Sequence, residues 1–136
     1  MRSAYVLSII LAVSVLGSEV HAADKLDPKP LEAIIDNALK GYNDGDYKVF
    51  FADYAKSMAA VATEQTFKSM YTDQYKKNLG DYVSRKPIDK ETVLMGDFPL
   101  MVFDAEFSKE KKVKLSVNFT KEDGKFKIMQ MRFDKQ

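Results

Sequence analysis

What most limits how this chain can fold is a change of hydrophobic period at Gly80. Before it, apolar residues recur every three or four positions; after it, they recur every second. The first spacing places side chains on one face of a helix and the second on one face of a strand. The chain is therefore read as helices first and antiparallel strands afterwards. That order predicts an α+β domain, with its helices packed on one face of a sheet of about four strands.

Leu31, Ile34, Ile35, Ala38, Leu39 and Tyr42 form the apolar stripe of the first predicted helix, with Glu32, Asp36, Asn37 and Lys40 opposite. Lys29-Pro30 sets its start, since the residue before a proline avoids helical backbone while proline suits a first turn. Asn43-Asp44-Gly45 is its predicted stop. Asp46 then caps a second helix with a buried face of Tyr47, Phe50, Phe51, Tyr54 and Met58. Thr63 opens a third, with Phe67, Met70, Tyr71, Gln74, Tyr75 and Leu79 at helical spacing.

Beyond Gly80, Tyr82-Val83 begins a strand that Pro87 interrupts, and Thr92 to Met95 resumes it. Met101, Phe103, Ala105 and Phe107 alternate with Val102, Asp104 and Glu106. Val113, Leu115, Val117 and Phe119 alternate with polar residues and predict a strand with one buried face. Asp123-Gly124 signals a hairpin turn. In the last strand Phe126 and Ile128 fall on one face, and Met129, Met131 and Phe133 on the other. Such a switch requires either a bulge or cover on both faces.

Residues 1 to 22 have the form of a cleavable signal peptide: Arg2, an apolar core from Ala4 to Gly17, and Val20-His21-Ala22 before the cut. The core is shorter than the roughly 20 apolar residues of a spanning helix, so no stable membrane anchor is expected. The reading is an exported protein, periplasmic or secreted, with a flexible arm over 23–30 and a single domain over 31–136. The lone histidine, His21, falls in the leader, and cysteine is absent. Histidine-based catalysis and zinc sites, thiolate chemistry and disulfides are thereby excluded from the mature chain. Twenty-one basic against 20 acidic residues gives no footprint for nucleic acid. No cofactor motif is present, and copper(I) on thioethers lacks a tight Met-x-x-Met cluster.

The run Ala38 to Tyr47, with its glycine–aspartate turn and following aromatic, resembles the end of the first helix in the nuclear transport factor 2-like, cone-shaped superfamily. Phe50-Phe51, Thr63 to Phe67 and the closing hairpin around Asp123-Gly124-Lys125 are similar to small secreted prokaryotic members of uncharacterised function. The resemblance spans roughly Leu31 to Phe133. It implies a sheet curved around a cavity and closed by helices. Because members of that superfamily include both enzymes and binding modules, it does not choose a function.

On that reading Tyr71 and Tyr75 face the concave sheet, with Phe103, Met129 and Met131 across from them. These five residues are the expected lining of a mostly apolar pocket carrying two hydroxyls. The expected function is non-catalytic binding of a small amphipathic molecule or a protein partner through the cavity or the sheet face. A homodimer through the sheet is left open. The alternative is a histidine-free enzyme, isomerase- or hydrolase-like, using tyrosine and carboxylate in the same cavity. Asp104 and Glu106 are read as cross-strand partners of Lys114, and Arg85 and Arg132 as surface ion pairs or anchors for an anionic ligand.

Overall fold

The computed structural model describes residues 25–136. The expected leader and its cleavage after Ala22 lie outside the described residues. The domain is α+β: three helices on one face of an open, antiparallel four-stranded sheet. The helices are α1 (Pro28–Asp44), α2 (Tyr47–Phe50) and α3, which runs through Glu64–Thr66, Phe67–Lys76 and Lys77–Leu79. The strands β1 (Tyr82–Pro87), β2 (Leu100–Phe107), β3 (Val113–Glu122) and β4 (Lys125–Lys135) follow one another across the sheet in chain order. No described helix is long and apolar enough to cross a membrane.

Helix α1 starts two residues before the predicted proline. Asp27 accepts from the Lys29 N–H at 3.0 Å and Pro28 takes the first helical position, where a missing N–H costs nothing. Leu26, assigned to the flexible arm, donates its N–H to the Leu94 carbonyl at 2.8 Å. Leu31, Ile35, Ala38, Leu39 and Tyr42 are buried as predicted. Gly41 joins them because α2 crosses it: a Cβ there would lie 2.4 Å from the Phe50 backbone nitrogen. Only a residue without a side chain permits that approach.

The predicted second helix is broken. Asp46 does cap it, accepting from the N–H groups of Lys48 and Val49, but regular helix ends at Phe50. Tyr54 instead forms a parallel bridge to Ile128. The Ile128 N–H donates to the Asp53 carbonyl and the Ala55 N–H to the Ile128 carbonyl, both at 2.8 Å. The backbone of this segment satisfies its hydrogen bonds with β4 and so cannot satisfy them within a helix.

Helix α3 begins at the predicted Thr63 cap, whose hydroxyl accepts from the Thr66 N–H. From Phe67 to Lys76 it widens into π-helix. The spacing explains the widening. Phe67, Tyr71, Tyr75 and Leu79 stand four apart and all pack into or against the core. In an ideal α-helix each such step rotates by about 40°, so the row would drift by about 120° over three steps. Wider turns keep it in line. Met70, predicted on this face, is exposed as a result.

In the sheet, Thr92 to Met95 does not resume β1; only Val93 pairs, with Leu100 at the start of β2. Leu115, Val117 and Phe119 face the helices and are buried. Asp123 and Gly124 both have positive φ (51° and 78°), the two-residue turn that joins strands of right-handed twist. The face switch in β4 is a bulge. Asn118 opposes Gln130 but Phe119 opposes Ile128, leaving Met129 as the extra residue. With that residue inserted, Ile128, Met131 and Phe133 all reach the core. A second irregularity, at Val83, lies in β1.

Candidate functional site

The two irregular stretches meet at one place. The π-helical part of α3, the segment from Phe51 to Val61 and the bulged part of β4 enclose a cavity of about 300 Å3. Its apolar lining includes Phe51, Met58, Val61, Met70, Met129 and Met131, and its hydroxyl-bearing lining Tyr54, Tyr71, Tyr75 and Thr66. Gln130 and Arg132, exposed residues of β4, complete it. π-Helical turns and β-bulges are costly departures from regular geometry, and both recur beside functional sites because they re-aim side chains.

Four of the five residues expected to line a pocket, Tyr71, Tyr75, Met129 and Met131, are brought together here. Phe103 is not. It is fully buried on β2, paired with Pro87 and Leu115 in the sheet register, and β3 stands between it and β4. Two strand spacings, about 10 Å, separate β2 from β4. The Arg85 guanidinium covers the Phe103 ring instead, 5.0 Å from its centroid.

Tyr71 anchors the inner wall. Its hydroxyl donates to the Met131 carbonyl at 3.0 Å, and its ring lies 4.4 Å from that of Phe50 and 5.3 Å from that of Tyr75, centroid to centroid. Burial pushes its hydroxyl up to about 12. Tyr54 is the residue that pattern reading misplaced, as part of a packed helical face. Its hydroxyl is sealed from solvent and has no hydrogen-bond partner among the described residues. The neighbouring Tyr71 hydroxyl and the Tyr54 hydroxyl perturb each other's ionisation. Burial first, then the neighbouring Tyr71, holds it protonated well above the ordinary tyrosine range. The one local hint was Asp53 before it, since aspartate favours turns over helix interiors.

No aspartate or glutamate is among the residues that line this cavity. The tyrosine–carboxylate pair of the enzymatic alternative therefore finds no carboxylate in it. Asp104 lies opposite Lys114 as expected, but the Lys114 ammonium turns to Glu91 at 2.9 Å. Arg85 is an internal tie rather than a ligand anchor. It pairs with Asp36 at 2.7 Å and Glu32 at 3.7 Å on α1 and donates to the Tyr82 hydroxyl at 3.0 Å. Arg132, by contrast, sits at the cavity with an exposed ion pair to Asp134 at 2.9 Å. No group of three or more histidine, cysteine, aspartate or glutamate side chains among the described residues is placed to hold a metal ion.

The geometry defines the class: an α+β domain with a small, tyrosine- and methionine-lined cavity between its helices and the last strand. Compared with protein-family models and with curated proteins, the sequence has no match.

Proposed function

We propose that this chain is an exported, non-catalytic binding domain of the nuclear transport factor 2-like type, holding a small amphipathic molecule in the cavity beneath α3. The observation that carries this reading is the cavity itself, lined mainly by methionine and aromatic side chains from three separate segments. The volume, about 300 Å3, is at the small end for ligand pockets. Methionines from three separate segments adapt their shape to an apolar body. The bulges at Met129 and Val83 bend their strands, as a cone-like curved sheet needs.

A small-molecule ligand is favoured over a protein partner on the sheet. The outward face of the central strands carries Asp104, Lys114, Ser116 and Asn118, which a homodimer through the sheet would have to desolvate and pair.

1-Naphthol, an apolar body with one hydroxyl, tests the cavity. Calorimetric titration is expected to give saturable binding with Kd of about 10–100 μM, typical of a ligand of about ten heavy atoms. Met70→Glu, which puts a charge into the lining at an exposed side chain, should weaken it about tenfold with thermal stability little changed. Absence of saturable binding, or equal affinity in the variant, would sink the reading. Export has its own test. The protein recovered outside the cytoplasm should lack residues 1–22 by intact mass, and retention of Arg2 to Ala22 in a membrane-bound product would refute the leader.

A further inference from the structure

We infer that the cavity selects a monoanionic amphiphile, an apolar body of about ten heavy atoms carrying one carboxylate-like head, with Arg132 receiving the head at the rim. The inference rests on the binding function proposed above and adds the ligand's charge and size to it. Of the residues lining the cavity, Arg132 alone carries a formal charge; Asp134, outside the lining, pairs with it at 2.9 Å. A cationic head would meet the Arg132 guanidinium, with only Asp134, already engaged by it, as counter-charge. An anionic head would find a guanidinium, whose five donors in a planar fork suit a carboxylate.

The placement supports a head at the rim and a tail inside. Arg132 and Gln130 alternate outward along β4, while Met131 between them points into the core. The ion pair with Asp134 engages Nη2 of Arg132 and leaves its other N–H donors available. Tyr75 lies in the same lining, so the cavity holds a hydroxyl donor as well as the guanidinium. Inward, the surface becomes thioether and aromatic. At about 30 Å3 per water-sized group, a cavity of about 300 Å3 holds about ten heavy atoms. A neighbouring open groove shares Met58, Met129 and Gln130 with it.

Three probes with one tail and different heads, octanoate, octanol and octylammonium, separate charge from cavity. Calorimetry at low salt should rank octanoate about tenfold tighter than octanol, with octylammonium weakest. Raising salt should erase most of the octanoate advantage, since the pair is exposed. Arg132→Gln should bring octanoate down to the level of octanol and leave octanol unchanged. Asp134→Asn, which frees the guanidinium, should tighten octanoate about threefold. Both substitutions are at exposed side chains, and unchanged thermal melting would show that the fold is intact. Octanol binding as tightly as octanoate, or a charge preference that survives Arg132→Gln, overturns the anionic head. Failure of all three probes while 1-naphthol binds also overturns this inference and leaves the binding function standing. Failure of 1-naphthol as well removes the binding function itself.

Discussion

Val117→Asp is expected to leave the domain without a cooperative unfolding transition at 25 °C. Val117 is fully buried at the centre of β3, between Met101 on β2 and Met131 on β4 in the sheet register. No cationic side chain is among the buried residues around it, so the new carboxylate would be desolvated without a partner. Breaking a core this way costs several kcal/mol, against a total stability of about 5–15 kcal/mol for a domain. Asn118→Asp is the control one residue along. That side chain is exposed on the opposite face, and its change should stay within about 0.5 kcal/mol. Urea denaturation followed by circular dichroism compares the two. A Val117→Asp protein that melts like the parent would mean that the buried face of β3 has been misassigned.

Alkali should unfold the protein more steeply than its composition suggests. The hydroxyls of Tyr42, Tyr54 and Tyr71 are all held above the ordinary tyrosine value, in each case chiefly by burial. Tyr71 is pushed up to about 12, and Tyr42 and Tyr54 are also raised. A raised value means that the folded state keeps protons the unfolded chain has released. The associated stability is complete below about pH 10 and is lost as pH climbs toward and past 12. Each tyrosine contributes about 1.4 kcal/mol per pH unit in that window, and three together about 4 kcal/mol per unit. Tyrosinate absorbance, unobscured because the chain has no tryptophan, should therefore gain its last component only as secondary structure disappears. Tyr54→Phe should flatten the slope by about a third. Ionisation of every tyrosine near pH 10 with an unchanged circular dichroism spectrum would contradict the buried placement of all three.

Much of the fold is legible locally. The Asp46 and Thr63 caps, the Asp123-Gly124 turn, the buried stripe of α1 and the inward faces of β2 and β3 all follow from residues one to four apart. Side chain and backbone partner are neighbours in the chain there, so the pattern carries the answer. Even the π-helical stretch has a local signature, in the unbroken spacing of four from Phe67 to Leu79. The candidate site was partly legible for the same reason: Tyr71 and Tyr75 share a helical face, and Met129 and Met131 share a strand.

What remained was decided by partners far along the chain. Tyr54, Met58 and Ala55 have apolar spacing that fits a helix, yet the backbone on either side of Tyr54 is bonded to Ile128. That pairing frees the Tyr54 ring to become a cavity wall. Phe103 alternates like any inward strand residue, but strand order places β3 between it and the cavity. Arg85 and Arg132 are chemically alike in the sequence. One is taken up by Asp36 and Glu32 on α1, and the other pairs with Asp134 on its own strand and lines the cavity. The sequence by itself determined the elements, their inward faces and their order, because periodicity acts over a single turn or pleat. The tertiary structure alone decided where the second helix breaks, where β4 bulges and which polar groups surround the cavity, because each buried backbone and charged group must find its partner wherever the packed chain provides one.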